Sequence, residues 1–198
     1  TFYNLEDYLT AGYQFERFES TYPKSDSVEV ASYKSAKSYY ELSPRFSLDQ
    51  KDTQTALEKL QAFVNKYPNS SYRIGANNLV SELRDKLERK DIETAHQYFN
   101  IGEQIGSFKP AVDAYENFIS DHPGSVFREL AFYGRVEASY NRAISSIPAV
   151  QKERLLISKE FYNKYAKYYK AGDKKEDADA LIAAIDKELQ KYQQPTEN

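Results

Sequence analysis

The chain has 198 residues, 40% of them apolar and 29% charged, with a formal net charge of −3. It is long enough to bury a sizeable core and too acidic for bulk electrostatic binding to DNA or RNA, which needs a basic face. With no Cys and no run of 18 apolar residues, it has no disulfide framework, thiolate zinc site, Cys nucleophile or membrane-spanning helix.

The first expected helix covers 5–22 and ends at Tyr22–Pro23; the chain before it starts at Thr1 without Met, signal peptide or lipid-attachment Cys, which reads as a mature or trimmed fragment. A second helix, 26–43, is closed by Pro44, and the polar Arg45–Lys51 stretch follows as a surface loop. The third, 52–66, ends at Tyr67–Pro68. From 70 to 104 there is no proline, and no Gly between 75 and 102, so one continuous or gently bent helix is expected. Gly106 and Ser107 break it before a helix over 107–121, where Pro110 is tolerable in the first turn. Helices over 125–146, 150–170 and 174–192 complete the chain, and 193–198 should be a frayed tail.

Three of these junctions are copies of one another. Aligned on Pro23, Pro68 and Pro123, the residue before each is Tyr22, Tyr67 or His122, and two places after stand Ser25, Ser70 and Ser125. Five places before stand Phe18, Phe63 and Phe118; eight before, Phe15, Leu60 and Tyr115; twelve before, Ala11, Ala56 and Ala111. Eight after stand Ala31, Ala76 and Ala131. Offsets −12, −8, −5 and −1 are separated by four, three and four residues, which is one stripe of an α-helix. The small Ala admits a neighbouring helix, the aromatics fill the gap, and proline stops the helix. The Ser is expected to be the N-cap of the next helix. Phe161 and Tyr165, with Ala166 in the proline place, read as a decayed terminal copy. The expected fold is therefore all-α, a tetratricopeptide-like helix-pair superhelix (an α-solenoid), with residues 1–192 as one domain hinged near Pro23, Pro68 and Pro123.

Catalytic patterns are missing. His96 lies mid-helix without an accompanying H-E-x-x-H pattern, and His122 occupies the aromatic column of the repeat. No G-x-S-x-G, P-loop or dinucleotide fingerprint occurs. Asp173, Glu176, Asp177 and Asp179 lack the loop glycine and distal Glu of a calcium loop and fall where acids favour a helix start. No enzyme activity, cofactor or metal is expected. What remains is surface recognition on the helices that follow each proline, with Tyr33, Tyr40, Tyr133, Arg135, Tyr140 and Arg142 as candidate partner contacts. In the doublets Tyr39–Tyr40 and Tyr168–Tyr169, adjacent helical positions diverge by about 100°. At least one ring of each should therefore be exposed or covered by a partner.

The segments Phe-Glu-Ser-Thr-Tyr-Pro-Lys-Ser (18–25), Phe-Val-Asn-Lys-Tyr-Pro-Asn-Ser-Ser-Tyr (63–72) and Phe-Ile-Ser-Asp-His-Pro-Gly-Ser (118–125) resemble envelope tetratricopeptide lipoproteins. Ser-Glu-Leu-Arg-Asp-Lys-Leu (81–87) followed by Glu-Thr-Ala-His-Gln-Tyr-Phe (93–99), then Ala111–Tyr115 and Phe118, resembles the BamD family of outer-membrane β-barrel assembly lipoproteins. The resemblance covers about residues 3–145; the family's first helix pair and lipid-bearing Cys are absent, and 174–192 looks like an added helix. It implies a non-enzymatic scaffold at the periplasmic face of the outer membrane, held there by an N-terminal lipid that this chain lacks. Its implied partners are BamA-type periplasmic domains and unfolded outer-membrane proteins. Envelope adaptors that coordinate cell division share the aromatic-Pro-x-Ser signature, but their repeat is about 34–37 residues, whereas these prolines stand 45 and 55 apart.

Overall fold

Residues 2–193 are described by the structure, a computed structural model. After a 3₁₀ turn, Phe2–Leu5, come eight α-helices: α1 (Tyr8–Thr21), α2 (Val28–Leu42), α3 (Lys51–Lys66), α4 (Arg73–Ile105), α5 (Lys109–Asp121), α6 (Arg128–Ile144), α7 (Pro148–Tyr168) and α8 (Lys175–Gln190). No strand occurs among the described residues. The fold is all-α and built from helix pairs, as the repeat implies. The expected frayed tail lies, from residue 194 on, outside the described residues. The chain divides into two compact units, Thr1–Leu87 and Glu88–Asn198, with α4 contributing to both.

Each repeat hinge has one backbone geometry. Tyr22, Tyr67 and His122 leave the helix at φ −126°, −124° and −122° with ψ 59°, 67° and 64°. Their N–H groups donate to the carbonyls of Phe18, Phe63 and Phe118 at 2.8, 2.9 and 3.0 Å. The following proline disfavours helical geometry at these residues, which is why the stop falls here.

The serines do not cap as expected. Ser25, Ser70 and Ser125 accept with Oγ from the N–H two residues on, of Ser27, Tyr72 and Phe127, at 3.2, 3.0 and 3.1 Å. Their carbonyls accept from Val28, Arg73 and Arg128 at 3.0, 3.2 and 3.2 Å. The serine closes a local side-chain turn, so helices α2, α4 and α6 begin two or three residues later than the N-cap reading placed them.

The terminal copy also shifts. The fourth hinge is at Tyr169, with φ −121° and ψ 68°, whose N–H donates to Tyr165 O at 2.9 Å. Lys170 stands in the proline place, so the copy lies one turn later than the Phe161–Tyr165–Ala166 reading. In this register Ser158 takes the −12 position, Tyr162 the −8, Tyr165 the −5 and Ala178 the +8. Ser158, Tyr165 and Ala178 are buried, as are Ala56, Phe63 and Ala76 of the second copy and Ala111, Phe118 and Ala131 of the third.

In the first unit the core gathers Leu60, Phe63, Val80 and Leu83 around the small residues Ala36, Ala56 and Ala76. There α2 lies close against α1, where Ser35 Oγ donates to the carbonyl of Gly12 at 3.1 Å. The Arg45–Lys51 stretch is more than a polar surface loop: Gln50 is buried, and its Nε2 donates to the carbonyls of Arg45, Phe46 and Leu48. In the second unit one cluster joins Ile92, Phe99, Tyr115 and Phe118, and another joins Phe132, Leu155, Tyr165 and Ile185. Gly134 lets Tyr115 lie against α6, since a Cβ there would collide with the Tyr115 ring.

Candidate partner-binding face

In the first unit, Tyr33 and Tyr40 rise from α2. Tyr33 is half-buried, stacked on Tyr72 at 4.7 Å and tilted against Phe63 at 5.4 Å. Burial pushes its hydroxyl pKa up, with the neighbouring Tyr72 adding to the effect. Tyr40 donates to Glu82 Oε2 at 2.6 Å; that bond, then burial, lifts its pKa to about 12. Tyr39 points the other way, donating to Glu16 at 3.3 Å with Lys59 over its ring at 5.1 Å. Both rings of this doublet are thus half-covered by the protein's own helices, whereas in the second doublet Tyr168 is 57% exposed.

In the second unit, Tyr133, Arg135, Tyr140 and Arg142 all lie on α6 but do not share a face. Tyr133 donates to Glu137 at 3.1 Å, and Lys174 sits over its ring at 5.3 Å. Burial raises the pKa values of the Tyr133 hydroxyl and the Glu137 carboxyl. Tyr140 is half-buried against the Phe132 cluster. Arg142 is half-exposed, and its guanidinium has no carboxylate partner among the described residues.

Arg135 corrects the expectation. It is only 2% exposed, held between Phe132 and Phe161 with its guanidinium 5.0 and 4.3 Å from the two ring centres. Its Nη1 donates to Glu116 at 3.2 Å. Arg135 belongs to the α6–α7 packing because the stripe 128, 132, 135 of α6 turns toward α7. A side chain so enclosed has almost no surface to offer a partner in this conformation.

Two glutamates that the sequence reading passed over tie consecutive hinges together. Glu29, at the start of α2, accepts from Ser70 Oγ at 2.5 Å. Glu129, six places after its proline like Glu29, accepts from Tyr165 OH at 2.8 Å and from the N–H groups of Asp173 and Lys174 at 3.2 and 3.0 Å. Their shared offset was the available signal. His122 likewise does more than fill its column: beside its contact with Phe118 it shares a hydrogen bond with Asp91 at 3.0 Å. In the acidic cluster Lys174 pairs with Asp177, and Lys175 with Asp179. Among the described residues no three metal-ligating side chains converge, and no helix is long and apolar enough to cross a membrane.

Residues 1–107, more than half of the chain, match the YfiO family profile, described as outer membrane lipoprotein. The chain belongs to the YfiO family. Membership carries the expected place at the periplasmic face of the outer membrane. A relative, outer membrane protein assembly factor BamD of Caulobacter vibrioides, is 30% identical over 136 residues, covering 65% of this chain and 44% of that protein. The chain therefore spans less than half the length of this relative. The YfiO match takes in the hinges at Pro23 and Pro68, the Gln50 loop, α4, Tyr33 and Tyr40; Tyr133, Arg135, Tyr140 and Arg142 lie beyond it.

Proposed function

We propose that this chain is a non-enzymatic scaffold in the assembly of outer-membrane β-barrel proteins. In this reading it binds BamA-type periplasmic domains and unfolded outer-membrane proteins through the faces of its helix pairs. The observation that supports it most is the likeness to a relative named as an assembly factor, carried by a chain whose conserved-offset residues build hinges. A scaffold works by holding partner-facing side chains in fixed places before the partner arrives, which lowers the ordering cost of binding. Tyr33, Tyr40 and Tyr133 suit that role: each ring is braced by packing or by a carboxylate while part of it stays accessible. Arg142 is the cation of the candidate set that is left to meet an acidic group, and Arg135 holds the α6–α7 packing beneath it.

Pull-down with a purified BamA-type periplasmic domain tests this. Arg142→Glu should weaken capture while the helical circular-dichroism signal is unchanged; Arg135→Glu should lower the melting temperature. Undiminished capture by Arg142→Glu combined with Tyr140→Ala would remove α6 from the binding face. Failure of the unaltered chain to capture that domain would reject the reading itself.

A further inference from the structure

On α6 and α7 seven side chains alternate between cation and ring. Lys167 lies over Tyr168 at 5.8 Å. Arg128 lies over Tyr168 at 5.5 Å and over Phe132 at 5.0 Å. Arg135 then joins Phe132 to Phe161, at 5.0 and 4.3 Å, and Lys164 closes the strip over Phe161 at 5.7 Å. Four positive charges are thus gathered on one face of a protein whose net charge is −3.

Carboxylates do not balance them. Arg135 shares Glu116, itself half-exposed. Among the described residues, Arg128, Lys164 and Lys167 form no ion pair. Elsewhere lysines of the same protein sit beside acids: Lys59 with Glu16, Lys66 with Glu19, and on α7 itself Lys159 with Asp186. In addition Nε and Nη2 of Arg135 and Nε of Arg128 are enclosed without any acceptor. Enclosed as they are, these atoms belong to the α6–α7 packing, and Lys164 and Lys167 are the exposed cations of the strip. Packing between α6 and α7 accounts for the rings and for Arg135. It does not account for three further cations collected at the rim without an anion.

We infer that this strip is a docking face for an acidic, extended segment of a protein partner. Carboxylates of that segment would join Arg128 to Lys164 and Lys167, and its apolar side chains would cover Tyr168. Guanidinium groups match carboxylates in a planar fork, and steering by opposite charge suits a partner met by diffusion. A nucleic-acid strand fits less well, because base stacking needs open ring faces. Phe132 is 3% exposed, with Arg128 and Arg135 already against it. A flat lipid surface fits less well too, since the strip has a buried centre and only its rim is accessible.

The test is fluorescence anisotropy of the whole chain with a labelled peptide of four Glu-Glu-Phe repeats at low salt. Lys164→Glu with Lys167→Glu should weaken binding at least about tenfold. Both residues are exposed, so folding is preserved and is checked by circular dichroism. The control Arg17→Glu with Lys24→Glu changes net charge equally at exposed sites outside the strip and should stay within about twofold of the parent, since binding then depends on the strip and not on net charge. Equal loss in the control, or no loss in the strip variant, overturns the inference. So does stronger binding of an oligo-dT strand or a phosphatidylglycerol vesicle that the strip variant abolishes.

Discussion

The hinge at Pro68 and the hinge at Tyr169 reach the same backbone geometry from different chemistry. At the first, proline stops α3, Ser70 closes the turn, and Glu29 adds one hydrogen bond to the serine hydroxyl. At the second there is neither proline nor serine: Lys170 and Gly172 stand in their places. Glu129 instead moves in, taking the space a side chain at 172 would fill and accepting three hydrogen bonds. A turn can thus be specified from within the chain or imposed by a neighbouring helix.

The largest test of what the two hinges share is removal of the −5 ring. Phe63→Ala and Tyr165→Ala should each cost roughly 3–5 kcal/mol, because both side chains are fully enclosed and leave cavities; urea denaturation measures it. If only Phe63→Ala reached that range, the fourth copy would not be a structural equivalent. Next comes the contrast between the glutamates. Glu129→Ala, which removes three charge-assisted hydrogen bonds, should cost about 3 kcal/mol, against about 1.5 for Glu29→Ala, which removes one. Equal losses would mean that the serine hinge depends on its clasp as much as the glycine hinge does. Third, Gly172→Ala should destabilise by about 1–3 kcal/mol, since the added Cβ displaces the Glu129 carboxylate, whereas Ser70→Gly should lose about 1 kcal/mol with its turn bond.

The smallest effect is confined to alkaline pH. Tyr40 in the first unit and Tyr162 in the second both have pKa values raised from 10.0 to about 12. A phenol whose folded pKa is raised favours folding fully below its unfolded pKa of 10.0. That stabilisation is lost as pH climbs from 10.0 through about 12. For Tyr40 the bond to Glu82 is the leading cause, whereas for Tyr162 burial leads and Asp179 comes second. Glu82→Gln should therefore flatten the pH dependence of the melting temperature more than Asp179→Asn does. The reverse order would refute this assignment of causes.

Why the sequence disclosed some of this and not the rest follows from which interactions are local. The stripe from −12 to −1 and the proline act through the backbone of one helix, so helix order and ends could be read within a few residues. The fourth hinge could not, because its stop is enforced by Glu129, more than 40 positions away. The serine misreading was one of register: a hydroxyl able to cap a helix can equally close a turn two residues on. Among the contact candidates, Arg142 and the tyrosines kept some surface. Arg135 did not, since composition makes Arg a surface residue and only the facing of α6 toward α7 reveals Phe161 waiting for it.

The buried Gln50 amide gives its loop a further property. Because one buried side chain holds three carbonyls of the 45–48 backbone, much of the loop's shape is fixed from inside. Leu48 stands half-exposed at its tip, so the loop carries apolar surface along a path that Gln50 helps to hold. Such a loop is a tethered faceplate: what it shows outward is carried on a backbone clamped by an amide that it keeps inside.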